Sequence, residues 1–161
     1  MRAQDAVMRL ALFQPDIAQN AGTMLRLAAC LGLEVDLIEP FGFVFGDARL
    51  RRAGMDYVDH VAVTRHASWS AFREHLPGRL VLLTTRGKLR YDEAQFAATD
   101  TLMVGRESAG VPVEVHEAAD LAVRIPMRSG RRSLNVALAA SMVLGEALRQ
   151  TNGWPMEDQH D

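Results

Sequence analysis

What this chain is short of narrows it before any motif is read. One residue in 161 is cysteine, Cys30, so no intramolecular disulfide can form, and five scattered histidines offer no metal-ligand spacing. No apolar run approaches the roughly 18 residues of a membrane span, because Arg, Asp or Glu interrupts each one. The opening Met1-Arg2-Ala3-Gln4-Asp5 lacks the apolar core of a secretory signal. No Gly-x-Gly-x-x-Gly follows the first strand-like run, and neither Gly-x-x-x-x-Gly-Lys-Ser/Thr nor Gly-x-Ser-x-Gly occurs. Dinucleotide oxidoreductases, P-loop enzymes and nucleophile-elbow hydrolases are therefore disfavoured. The expectation is a soluble, cytoplasmic, metal-free protein without a membrane partner. Its length is that of one domain, 1–161, with 1–7 as an N-terminal extension and 151–161 as a polar tail.

Lysine is scarce as well: Lys88 stands alone against 17 arginines. The net charge of −2 argues against a nucleic-acid partner, but Glu157, Asp158 and Asp161 crowd the tail and leave residues 1–150 with 18 basic and 17 acidic groups. Three local clusters matter more: Arg49-Leu50-Arg51-Arg52, Arg86-Gly87-Lys88-Leu89-Arg90 and Arg128-Ser129-Gly130-Arg131-Arg132. Each reads either as a solvated face or, beside a site, as a phosphate-binding patch.

Hydrophobic residues make up 48% of the chain, enough to bury a core. Short β-type runs recur at Leu10–Phe13, Val35–Ile38, Val61–Thr64, Leu80–Thr84, Thr101–Val104 and Leu121–Ile125. Helical patterns fall at about 18–31, 47–54, 68–75, 112–118 and 133–150. This alternation predicts an α/β fold, a mostly parallel sheet with helices on both faces. Arg26 is the only charge between Ile17 and Leu33, so the first helix is expected to be buried almost all round, with Cys30 inert in the core. Arg26 then either snorkels at the helix edge or faces a cleft or an anionic partner. The last helix is rich in small residues, Ala137, Ala139, Ala140, Ser141 and Gly145, which allow close approach in a core or between subunits.

Glycine and polar residues gather after the later strands. One strand runs into Gly105-Arg106-Glu107-Ser108-Ala109-Gly110. Another runs into Ile125-Pro126-Met127, an Arg-rich turn, and Ser133-Leu134-Asn135 at the start of the last helix. Ligands sit beyond the carboxyl ends of strands in open parallel sheets. Gly105 would admit close backbone approach to a ligand, and Ser133 is expected to cap the helix.

These residues carry a resemblance. Asn20-Ala21-Gly22 with Arg26, then Gly105-x-Glu107-x-x-Gly110, then Ile125-Pro126-Met127 with Ser133-Leu134-Asn135 resemble the three motifs of the SPOUT (α/β-knot) RNA ribose 2′-O-methyltransferases. Within that class the likeness is closest to the small tRNA (cytidine/uridine-34-2′-O)-methyltransferases. Glu39-Pro40-Phe41-Gly42-Phe43, Arg51-Arg52-Ala53-Gly54-Met55-Asp56-Tyr57 and Leu83-Thr84-Thr85-Arg86-Gly87 support it, over about Met8 to Leu148. The resemblance implies a C-terminal trefoil knot, S-adenosyl-L-methionine held around Leu83, Gly105, Ile125 and Ser133, a homodimer, and the tRNA anticodon stem-loop as substrate. It implies catalytic roles for Arg26 and Asn135, and phosphate contacts for Arg51, Arg52, Arg131 and Arg132, with Arg86 nearby.

A guanidinium, with its pKa above about 12, is a poor general base, so Arg26 reads as gripping a phosphate and stabilising the forming alkoxide. Asn20 reads equally as a helix N-cap. Glu107 reads as tying down the cofactor loop rather than reacting. Arg106, where some relatives differ, reads as a salt bridge or a phosphate contact. The alternatives are an enzyme of the same fold acting on ribosomal RNA, an RNA-binding module without activity, and a flavodoxin-like small-ligand binder.

Overall fold

A computed structural model describes residues 7–43, 61–131 and 133–157. Seven strands among them are β1 (Arg9–Phe13), β2 (Glu34–Ile38), β3 (Val63–His66), β4 (Leu80–Leu83), β5 (Leu89–Arg90), β6 (Thr101–Val104) and β7 (Leu121–Arg124). They form one sheet in the order β3-β2-β1-β6-β4-β7-β5, and every pairing is parallel. The helices are α1 (Ala18–Leu31), α2 (Trp69–Glu74), α3 (Val113–Ala118) and α4 (Val136–Thr151).

The register explains why the interior strands read as apolar runs. Leu10 pairs with Val35 and Leu102, and Leu12 with Leu37 and Val104, all in one core layer with α1 and α4. Ala11, Phe13, Ile38, Leu82 and Met103 point to the other face, where Phe72 of α2 and Val115 of α3 cover them. A strand buried on both faces has no polar alternation to show. On that second face Arg9 donates to Asp36 at 2.8 and 2.9 Å, and His66 Nε2 lies 2.8 Å from the same carboxylate. Buried Asp36 is thus paired by groups from the strands on both sides.

Strand and helix positions follow the sequence pattern with local exceptions. The third strand is displaced to Val63–His66, and the last helix starts at Val136. The cap of α4 is Asn135, whose Oδ1 accepts from the N–H groups of Ala137 and Leu138 at 2.9 and 3.3 Å, so Ser133 is not the cap. The expectation that α1 is buried all round does not hold. Ala18, Ala21, Met24, Leu25 and Ala28 face the core, whereas Gln19, Thr23, Arg26 and Cys30 form an exposed stripe. Cys30 is therefore not core. Apolar composition alone could not place the buried arc, which a second helix, α4, defines by packing on one side. The N-cap of α1 is Ile17, which removes that role from Asn20. The helix expected at 47–54 lies outside the described residues.

β5 had no signal in the pattern. It sits inside the Arg86–Arg90 cluster and exists because this segment pairs in parallel with β7. A Cβ at position 87 would lie 2.4 Å from the Val123 carbonyl carbon, so only glycine fits there. Arg124 Nη1 donates to the Gly87 and Lys88 carbonyls at 3.1 and 2.7 Å and fastens this segment to β7.

Candidate active site

The carboxyl ends of β4, β6 and β7 open into one cleft of about 540 Å³. Its walls include Leu83-Thr84-Thr85, Gly105 to Val111, Ile125, Met127 and Ser133 to Val136, with Asn20 of α1 at one side. The four residues expected to hold a cofactor, Leu83, Gly105, Ile125 and Ser133, all line it. So does Asn135. Parallel strands end on the same side of a sheet, so loops distant in sequence necessarily meet there.

The loop after β6 is a closed ring. The N–H of Arg106 donates to the Gly110 carbonyl at 3.1 Å, and the N–H of Gly110 returns a bond to the Arg106 carbonyl at 2.8 Å. A Cβ at position 105 would stand 2.8 Å from the Gly110 carbonyl carbon, and Gly110 itself has φ +61°. Glycine at 105 is required first by this internal approach, and Gly110 by its left-handed backbone.

Asp16 anchors the ring across 91 residues of sequence. Its Oδ1 accepts from the Glu107 N–H at 3.1 Å, and its own N–H donates to Glu107 Oε2 at 3.1 Å. Ser108 Oγ donates to Asp16 Oδ2. Bonding with Glu107 holds the Asp16 carboxyl down at about 2, with burial opposing and Ser108 assisting. Burial, and then the bond with Asp16, push the Glu107 carboxyl above the ordinary range. Glu107 ties the loop down, as its sequence position suggested. Sequence reasoning missed Asp16, which reads as an ordinary acidic residue before a helix. Gly42 seats the loop after β2 on the same point, because a Cβ there would fall 2.6 Å from Asp16 Cα.

The Asn135 side chain has two engagements. Its Oδ1 caps α4, and its Nδ2 donates to Asn20 Oδ1 at 3.1 Å, joining the first and last motifs across 115 residues. Arg26 is on the exposed stripe of α1 and is not part of the cleft wall. Arg86, Arg128 and Arg131 are exposed. Arg51, Arg52 and Arg132 lie outside the described residues. Among the described residues no three His, Cys, Asp or Glu side chains gather to hold a metal, and no helix is long and apolar enough to cross a membrane.

With this geometry in view, the chain can be set beside known proteins. It is 57% identical over 150 residues to a tRNA (cytidine(34)-2′-O)-methyltransferase of Ancylobacter novellus, covering 91% of this chain and 95% of the relative. A solved structure concerned with 2-OH methylation of C/U34 on tRNA superposes with a TM-score of 0.87 at 42% identity, over 92% of this chain and 98% of that one. An AdoMet-bound rRNA methyltransferase from Sinorhizobium meliloti follows at a TM-score of 0.81 and 27% identity, over 92% of this chain but 58% of the other. The model of one family spans residues 7–145, from before β1 into α4, and so takes in every strand and loop that builds the cleft. The chain belongs to the SpoU rRNA Methylase family.

Proposed function

We propose that this chain transfers a methyl group from S-adenosyl-L-methionine to the ribose 2′-oxygen of the wobble nucleotide of tRNA, position 34, a cytidine or a modified uridine. The observation that carries the reading is the convergence of Leu83, Gly105, Ile125 and Ser133 on one cleft. Near-full-length likeness to a tRNA (cytidine(34)-2′-O)-methyltransferase favours this substrate over ribosomal RNA, despite the family's name. The rRNA enzyme of similar fold is a longer chain, of which this one matches 58%.

The cleft fits the cofactor. Its volume of about 540 Å³ is that of a small-molecule site. Leu83, Ile125, Leu134 and Val136 offer apolar surface for an adenine, beside peptide groups at strand ends. Bound there, the cofactor supplies an electrophilic sulfonium methyl. The protein's own task is to place a ribose hydroxyl in line and ease loss of its proton. The Asp16–Glu107 bracket holds the cofactor loop, and Asn135 with Asn20 fixes the opposite wall.

Arg26 grips a phosphate and stabilises the developing alkoxide. Its place on the outer stripe of α1 suits a composite site in a homodimer. Leu134, Leu138, Met142 and Trp154 are exposed on and beside α4, the helix that packs on α1, and offer an apolar surface for a second copy. The anticodon stem-loop lies over Arg86 and Arg131, with Arg51, Arg52 and Arg132 as further contacts. The C-terminal half carries the trefoil knot of its class, a reading consistent with the close backbone approach at Gly87. The working compartment is the cytoplasm.

Incubation with methyl-labelled cofactor and total RNA, followed by mapping of the label, tests this. Label on the 2′-oxygen of tRNA nucleotide 34 is expected. Label confined to ribosomal RNA overturns the substrate, and none in any RNA overturns the activity. Arg26→Ala is expected to cut single-turnover transfer by about a hundredfold, the scale of one transition-state contact, with S-adenosylhomocysteine affinity unchanged. A wild-type rate would make Arg26 structural.

A further inference from the structure

Arg106 sits in the cleft wall without a carboxylate partner. Its neighbour Glu107 is turned to the Asp16 N–H, and among the described residues Arg106 forms no ion pair. The guanidinium is nonetheless held in place. Nε donates to the Gly110 carbonyl at 3.0 Å, and the carbon of the group lies 5.6 Å from the centre of the Phe13 ring. One edge and one face are thus used internally, and the two terminal nitrogens have no acceptor in the described protein. A planar fork held this way, on a rigid ring of backbone, has lost its conformational freedom before any ligand arrives. Four or so unsatisfied N–H groups at the mouth of a cleft call for an anionic oxygen pair.

Two anions can reach this cleft: the carboxylate of the cofactor and a phosphate of the RNA backbone. The sheet order separates them. The expected cofactor residues Leu83 and Ile125 lie at the ends of β4 and β7, on one side of β6. Phe13, on which Arg106 rests, ends β1 on the opposite side of β6, toward β2 and β3. We infer that Arg106 is a substrate-positioning residue that grips a backbone phosphate of the bound tRNA from the β1 side of the cleft. This rests on the methyltransferase reading above and adds an RNA contact held within the cleft wall itself rather than on the arginine-rich loops.

The test uses the full chain with Arg106→Ala and Arg106→Lys, reading tRNA binding across a salt series and S-adenosylhomocysteine binding by calorimetry. For Arg106→Ala, tRNA affinity is expected to fall on the order of tenfold. Its salt dependence should become shallower by about one contact, 0.7 to 0.9 in logarithmic slope. Cofactor-product affinity should stay within about twofold, because no cofactor contact is removed. Arg106→Lys keeps the charge but loses the Nε bond and the stacking, so it should restore most of the salt slope and only part of the affinity. An unchanged salt slope in Arg106→Ala overturns the proposal. So does equal loss in both variants, which would make Arg106 a fastener of its loop. A loss in S-adenosylhomocysteine affinity with tRNA binding intact assigns the anion to the cofactor and overturns the RNA contact. Failure of the underlying reading looks different: the unsubstituted chain would then bind neither tRNA nor S-adenosylhomocysteine.

Discussion

At the scale of single residues, the carboxyl pair at the cleft has the clearest consequence. Glu107 is held above its ordinary pKa of 4.5, by burial first and Asp16 second, so folding favours its protonated form. That contribution is whole below 4.5 and is lost as pH rises through the raised value. Asp16 runs the other way. Its contribution is present above 3.8 and fades as pH falls toward about 2. Glu107→Gln keeps the side chain's length and an acceptor oxygen but cannot ionise. The wild-type chain's thermal stability, measured relative to Glu107→Gln, is therefore expected to decline as pH rises above 4.5. An offset that stays constant as pH rises would mean that Asp16 and burial do not act on Glu107. None of this was legible in the sequence: Glu107 was singled out by its motif, but its partner is 91 residues away.

Elements are decided by who satisfies their ends. α4 starts where Asn135 accepts from two N–H groups, and the same side chain reaches Asn20. Ser133 is an equally good capping residue type, and local chemistry cannot choose between two candidates two residues apart. The observed start gives a direct comparison. Asn135→Ala is expected to lower unfolding free energy by about 1 kcal/mol, the usual worth of a cap, and Ser133→Ala by less than about 0.5 kcal/mol. Urea denaturation of both variants measures it, and the reverse ranking would move the cap back to Ser133. β5 makes the same point for strands. Two residues have no periodicity to read, and this strand exists only as a partner of β7.

For the molecule as a whole, the exposed side of α4 is the feature a single chain leaves unexplained. Leu138 is 61% exposed, with Met142 one turn further on and Trp154 just beyond the helix. Burying one leucine is worth roughly 1.5–3 kcal/mol, so a second copy of the same face gains on both sides of a two-fold axis. Leu138→Glu is expected to convert a dimer into a monomer in sedimentation experiments and to lower methyl transfer with it, while the monomer remains folded by circular dichroism. A wild-type chain that sediments as a monomer at micromolar concentration would remove the dimer from the proposed mechanism.

The sequence by itself determined the class of fold and the order of the motifs. Buried parallel strands must be nearly continuous apolar runs, so Leu10–Phe13 and Thr101–Val104 announce themselves, and the bounds of α1 follow from its pattern. The resemblance of its motifs assigned Leu83, Gly105, Ile125 and Ser133 to one cofactor site, and the converging strand ends of the parallel sheet bring all four to one cleft. The tertiary structure alone decided which arc of α1 is covered, so that Cys30 and Arg26 face outward. It decided, too, that Asp16 holds Glu107 and that the backbone at Gly87 lies against Val123. The reason is common to all of these. Periodicity reports which residues prefer burial within a turn or a strand, whereas the identity of a partner dozens of residues away depends on how the finished layers meet.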